Sequence, residues 1–525
     1  MNKAGSAQWP IRPIIISVII IAVLMVSANG VHAQGVSFKQ VAFEGDAAAE
    51  GVEFSSFPSA AINNDSTVAF VGSTTGQVAS CSSGTNYWKS IADVIQAPVC
   101  VNTLFSRNTL LNANGDLAFV QAAGIFSESG GLHNVVSQTI PVPGLPDEKF
   151  DFLSHPGMND SGEIIVYAST DVTNTQGLWS ETGGAGTLAS LVLDGDPAPG
   201  LPPGTVFQAL QNQQGAISNN GDVVFLATTD DPPPTGKQAQ PGVWSVKRDG
   251  TVRKVIAQKD PAPGSTGNFS STGFKRPGIN AKGEVALVGT TSNLSEAGVW
   301  AERWDGDSQQ YVLHNVFLKG TEIQVSETDF WAPFEFHSPA INSNGDVGFV
   351  ACTQFSTIRV CGIVRATWNG SGYDHEAIAL HWRIPGAARD PKGAGLGITR
   401  TQTFNMNAQG LFVFQAQTDT HGAAWGLWGW RPDIGLRRVY LATTPFRLPS
   451  GETRVIRNDT TKLAILVPTG GEDGRPKILN DAGMVVFTID FGPLAPDTAR
   501  REGLFVGDLN ETLFLDSLEW RWRLR

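Results

Sequence analysis

The stretch Ala340-Ile341-Asn342-Ser343-Asn344-Gly345-Asp346-Val347-Gly348-Phe349 constrains this chain more than any other feature, because variants of it return eight times. The Asn position is filled by Asn63, Asn112, Asn159, Ser218, Asn280, Asn342, Asn407 and Asn480. Three residues on stand Ser66, Gly115, Gly162, Gly221, Gly283, Gly345, Gly410 and Gly483; seven residues on stand Phe70, Phe119, Val166, Phe225, Leu287, Phe349, Phe414 and Phe487. An Asn side chain can hydrogen-bond backbone two residues on, and Gly supplies the positive φ that closes a type I turn with a bulge. The strand leaving the turn alternates, as in Gly221-Asp222-Val223-Val224-Phe225, so one of its faces is buried. Eight copies of one turn mark these Asn and Gly residues as turn makers before ligands.

Further along each unit a third strand opens with Gly, an aliphatic residue and usually an aromatic, as in Gly177-Leu178-Trp179, Gly242-Val243-Trp244, Gly298-Val299-Trp300 and Gly426-Leu427-Trp428. An aromatic at one place in every unit reads as packing between sheets rather than as a sugar platform. A fourth strand then runs into a Pro-rich turn, Asp194-Gly195-Asp196-Pro197-Ala198-Pro199-Gly200 or Lys259-Asp260-Pro261-Ala262-Pro263-Gly264. Pro cannot donate to a sheet ladder, so these segments leave the strand as loops. The chain returns through an apolar residue such as Phe207 or Phe274.

Four short antiparallel strands per unit, with no helical periodicity between them, predict an all-β fold, a β-propeller of about eight blades. Seven blades with one irregular unit is the alternative. Packing blades radially buries both faces of each sheet, and closing the ring removes its free ends. The early strand Phe38-Lys39-Gln40-Val41-Ala42-Phe43 looks like a fourth strand that arrives before any blade, suited to complete the last one; Glu511-Thr512-Leu513-Phe514-Leu515 competes for that place.

The chain begins with Lys3 and Arg12, a 13-residue apolar run from Ile14 to Val26, and Val31-His32-Ala33. This pattern predicts a secretory signal over residues 1–33, leaving 34–525 as one propeller domain. A single-pass anchor is the rival reading, for which the run is short. The formal charge of −12 makes nucleic acid and anionic membrane poor partners. The four Cys form two near pairs, Cys81 with Cys100 and Cys352 with Cys361. In an exported chain these read as two disulfides, and neither has the C-x-x-C spacing or nearby His of a metal site. Cys352 and Cys361 would staple the hairpin of the second and third strands, while Cys81 and Cys100 flank a longer excursion in the first unit.

With these repeats the chain resembles the bacterial exported proteins named for tandem N-x-x-G-x-x-x-F repeats, over roughly residues 37 to 510. The resemblance implies a surface or secreted propeller with no assigned reaction and no catalytic residues to carry over. No recognisable C-terminal anchor is present, which favours a secreted or periplasmic protein.

No G-x-S-x-G elbow, H-E-x-x-H helix or phosphate-cradling glycine loop appears. Asp374, His375, Glu376 and His381 form the only dense cluster of titratable residues and read as a solvated strand edge. The face opposite the Asn–Gly turns is expected to carry Asp46, Asp196 and Asp260 with the long excursions at 71–87, 227–241 and 445–477, a setting for a polar ligand or calcium, although Asp before Pro is also a routine turn residue. No cofactor is otherwise implied. The sequence favours a non-catalytic binding or scaffold protein, monomeric, whose partner is an extracellular or envelope protein or a glycan. A secreted hydrolase or lyase using carboxylates on the loop face is the alternative.

Overall fold

Each repeat folds into a small antiparallel sheet, because its strands are too short to bury both faces alone and its turns are too tight to let them separate. In the computed structural model the structure describes residues 38–510 except 102–108, 122–123, 212–215, 231–239, 271–272, 294–295, 386, 388, 391–392, 420–422, 459–468 and 494–499. The chain divides into two units, Met1–Ala33 and Gln34–Arg525. The expected signal segment and the candidate strand at 511–515 lie outside the described residues.

Residues 38–510 form an eight-bladed β-propeller, one blade per repeat. In blade 4 the order from the axis outwards is Ala216–Ile217, Val223–Asp230, Gln240–Val246 and Val252–Ala257. Blade 5 repeats it with Gly278–Ile279, Val285–Thr290, Ala297–Asp305 and Gln310–Leu318. Two small hairpins lie outside the blades, Ile323–Gln324 with Phe330–Trp331 and Pro445–Arg447 with Thr453–Val455. Apolar side chains of adjacent sheets interdigitate at the seams. Ile165, Tyr167 and Leu178 of blade 3 pack with Phe207, Phe225 and Trp244 of blade 4, and Val224, Val243 and Ile256 of blade 4 with Leu287 and Trp300 of blade 5.

The ring closes with its own beginning. Phe38–Phe43 pairs antiparallel with Arg501–Asp508, which pairs in turn with Met484–Phe491, so the first described strand is the outermost strand of blade 8.

The Gly–aliphatic–Trp signature has a packing origin. The Trp ring folds back over the Gly two residues before it: a Cβ on Gly242 would stand 2.6 Å from Trp244 and 2.7 Å from the Ile256 carbonyl oxygen. Gly177 meets Trp179 and Gly426 meets Trp428 in the same way. The indole N–H then donates to a carbonyl of the preceding Pro-rich loop, Trp179 to Pro143, Trp244 to Pro199 and Trp300 to Pro263, at 3.0–3.3 Å. The returning aromatic packs edge-on against the same Trp, Phe207 on Trp244 and Phe269 on Trp300. In blade 5 this position is therefore held by Phe269, with Phe274 stacked behind it.

Both disulfides form. Cys352 and Cys361 face each other across the ladder between Val347–Phe355 and Ile358–Trp368. Cys81 lies between the second and third strands of blade 1. Cys100 lies beyond the outer strand rather than before the third, next to Val99, which bridges back to Tyr87. That bond therefore ties an excursion to the segment leaving the blade.

Candidate functional site

The eight turns do more than reverse the chain. Within a turn, the Asn side-chain oxygen accepts the backbone N–H four residues on, from Thr67, Asp116, Glu163, Glu284, Asp346, Leu411 and Met484, at 2.8–3.0 Å. Its amide N–H reaches outward to the carbonyl at the Asn position of the next blade. Asn63 donates to Asn112, Asn159 to Ser218, Asn280 to Asn342, Asn342 to Asn407 and Asn407 to Asn480, and Asn480 donates back to Asn63. One side chain thus closes its own turn and links two blades. The Gly residues sit at φ between +74° and +90°, with Ser66 at +61°. They are also pressed by the preceding blade: Gly345 lies against Arg303, which pairs with Glu284, and Gly410 against Asp346 and Arg365.

The Asn112 amide instead turns back to Asp116 of its own turn at 2.9 Å, and at the seam between blades 4 and 5 the Asn itself is lost. Ser218 replaces Asn, its hydroxyl bonds within its own turn to Asn220, and it makes no side-chain bond to blade 5 among the described residues. An open cleft of about 800 Å³ lies at this seam on the turn face, lined by Asn220, Asp222, Lys247, Arg248, Asp249, Lys282, Trp304 and Tyr311. Asp222 is buried and held by the Arg248 N–H at 3.1 Å and the Asn220 amide at 3.2 Å; its burial raises its pKa above the usual carboxylate value. Tyr311 donates to the Lys282 carbonyl at 2.8 Å, and its ring lies 4.2 Å from the Arg253 guanidinium. Arg253 is clamped in turn by both oxygens of Glu302, at 2.6 and 2.8 Å. Trp304 meets the Tyr311 ring edge-on at 5.0 Å while remaining 42% exposed.

The central channel is filled by the chain itself. Residues 469–477, from the excursion at 445–477, run past the ends of the inner strands. Gly470 pairs with Met406 of blade 7. The Glu472 carboxylate accepts from the Ala281 N–H and the Ser343 hydroxyl, and the carbonyls of Asp473, Gly474 and Lys477 accept from Ile217, Met158 and Ile62. Arg475 pairs with Asp473 at 2.8 Å with both side chains 2% exposed, and donates to the carbonyls of Thr469 and Pro277. Lys477 bonds Asp160 at 3.1 Å. At the turn end a cavity of about 230 Å³ remains, lined by Asp160, Ser343, Glu472, Lys477 and Asp481 among others.

The three loop-face aspartates stay in separate blade connections. Asp46, Asp196 and Asp260 each accept the backbone N–H three residues earlier, from Phe43, Leu193 and Ala257, at 2.8 Å, and Asp260 also pairs with Lys254. His375 bonds the Val316 carbonyl, whereas His381 is buried, stacks on Trp382 and accepts the Arg383 N–H. No group of three or more His, Cys, Asp or Glu positioned to hold a metal ion occurs among the described residues. No helix among them is long and apolar enough to cross a membrane.

Residues 102–332 match a family described as "Family of unknown function (DUF7453)". No curated protein matches the sequence. Similar solved structures include an oligogalacturonate lyase in complex with manganese, 12% identical over 76% of this chain and 97% of that one, with a TM-score of 0.35. A polysaccharide lyase of family PL25, an ulvan lyase, is 8% identical over 71% of this chain and 91% of that one, with a TM-score of 0.33. A puromycin-hydrolyzing peptidase from Mycobacterium tuberculosis is 10% identical over 85% of this chain and 50% of that one, with a TM-score of 0.34. At these values the likeness concerns architecture alone.

Proposed function

We propose that this chain is an exported, non-catalytic β-propeller of the tandem N-x-x-G-x-x-x-F kind, acting as a binding or scaffold protein at or outside the cell envelope. The observation that carries this reading is the filled channel: Glu472, Asp473 and Arg475, charged groups on the axis of the ring, are spent holding residues 469–477 in place. Asp46, Asp196 and Asp260 likewise serve their own turns, which leaves the hydrolase or lyase alternative with less support. Export is supported by the signal-like start and by two disulfides. The cleft between blades 4 and 5 supplies the binding surface, with a volume inside the roughly 300–1,000 Å³ range of ligand pockets. The test is an array of surface glycans and envelope proteins probed with the full chain, each bound ligand then recovered and analysed. Saturable capture of chemically unchanged ligand is expected; time-dependent cleavage of any ligand would overturn the non-catalytic reading.

A further inference from the structure

We infer that the cleft between blades 4 and 5 takes an anionic saccharide, a sugar chain carrying carboxylate or sulfate groups. The inference rests on the reading of the protein as a binding propeller and adds the chemical class of its ligand.

Three observations converge on it. The first is a rigid aromatic surface. Trp304 is anchored through its backbone N–H to Glu284 at 3.0 Å and buttressed by Tyr311, itself fixed by its hydroxyl bond to Lys282 and by Arg253 at its face. An indole buttressed by Tyr311 and still 42% exposed offers a flat, electron-rich face to the C–H face of a pyranose ring. The other large indoles of the repeat, Trp179, Trp244, Trp300 and Trp428, are fully buried in their blades, so Trp304 lies outside the packing series.

The second is the sign of the available charge. The carboxylates of the cleft face their own turns, Asp249 accepting the Thr251 N–H and Asp222 the Arg248 N–H, and Arg248 pairs with Glu163. The ammonium groups of Lys247 and Lys282 have no hydrogen-bond or ion-pair partner among the described residues. A chain of net charge −12 therefore presents two ammonium groups beside its exposed indole, Lys282 and Lys247, the second also within electrostatic reach of Asp222 and Asp249. The third is position: the cleft lies at the seam where Ser218 stands in place of the blade-linking Asn, so the departure from the repeat and the binding surface coincide.

Spaced charge fits this surface better than dense charge. A duplex nucleic acid carries one phosphate per roughly 1.7 Å of axis and would press many phosphates against the acidic remainder of the protein. A saccharide charged once per sugar or per disaccharide can place single charges on the two lysines. An acidic peptide would need an apolar side-chain pocket for anchorage, and the cleft is lined by polar and charged groups apart from its two rings.

The test uses the full chain and tryptophan fluorescence or calorimetric titration with four probes of matched length: oligogalacturonate, a sulfated heparin oligosaccharide, a neutral cello-oligosaccharide and poly-glutamate. Saturable binding of one or both acidic saccharides is expected, weakening as salt rises. Trp304→Ala and, separately, the double variant Lys247→Gln/Lys282→Gln should each lower affinity by about tenfold or more with the melting temperature unchanged. Trp304→Phe should restore part of the loss. Binding of the neutral sugar that Trp304→Ala abolishes would overturn the requirement for charge, and such binding of poly-glutamate would overturn the saccharide class, each leaving the binding reading intact. Acidic-saccharide binding indifferent to all three variants would overturn this site, and no binding of either acidic saccharide would overturn the inference itself.

Discussion

The side-chain amide of Asn480 donates to the main-chain carbonyl of Asn63 across 3.0 Å, although 417 residues separate them. This bond completes, on the turn face, the closure that Phe38–Phe43 makes on the outer edge of blade 8. Asn480 is 2% exposed, and its oxygen also accepts the Met484 N–H at 2.8 Å. Replacing it by Ala leaves the Met484 N–H without this acceptor and takes from the Asn63 carbonyl one of its two donors, the Ser66 N–H remaining, and should cost about 1–2 kcal/mol of unfolding free energy, read by denaturant titration. The neighbouring Asn64–Asp481 contact is solvent-exposed, so Asn64→Ala should cost no more than about 0.5 kcal/mol. Equal losses in the two variants would remove the blade-linking role assigned to the Asn.

Much of the architecture is legible in the sequence because its signals are local. Asn342 and Gly345 announce a turn within a few residues, and Phe38–Phe43 could be recognised as a fourth strand without a blade. The donor–acceptor links between blades were not legible, since each joins residues 49 or more apart and nothing in a single Asn says where its N–H points. Residues 469–477 match no repeat, and no local pattern marks a loop that turns inward rather than out to solvent. The cleft was hidden for a related reason: Ser218 reads as a conservative mismatch, and Trp304 and Tyr311 fall outside the Gly–aliphatic–Trp series. The sequence instead points to Asp46, Asp196 and Asp260, whose carboxylates hold their own turns.

Glycines of two kinds should respond differently to a methyl group. Gly242→Ala places Cβ 2.6 Å from the Trp244 ring and 2.7 Å from a backbone oxygen, so overpacking should cost about 1–3 kcal/mol. At Gly306 nothing lies within 4 Å and φ is not positive, and Ala there should be neutral to within about 0.5 kcal/mol. Thermal melts of the two variants check the contrast.

The ion pair on the axis should behave as a buried unit. Arg475→Met alone strands the Asp473 carboxylate at 2% exposure and should cost about 3–5 kcal/mol. Adding Asp473→Leu should recover part of that loss, giving a double-mutant coupling well above the roughly 0.5 kcal/mol of independent sites. Strict additivity would show that the two charges do not depend on each other.

Burial, with the Arg383 charge nearby, depresses the His381 pKa from 6.5 to about 4. The unfolded chain then binds a proton that the folded chain refuses between these values. Stability from this group is therefore present above about pH 6.5 and lost as pH falls towards 4, by an amount on the order of 3 kcal/mol. His381→Gln should flatten that limb of the stability–pH curve measured by urea unfolding. An unchanged slope would show that other groups carry the acid sensitivity.

The strand Phe38–Phe43 also sets an order of events. It is made before any blade, yet its partner Arg501–Asp508 appears only at the far end of the chain. Throughout synthesis its hydrogen-bonding edge has nothing to dock on, and the ring stays open however well the middle blades have folded. A chain stopped short of residue 501 keeps both an unpaired strand and an unfinished blade. Synthesis through Arg501–Asp508 is thus the step that permits closure.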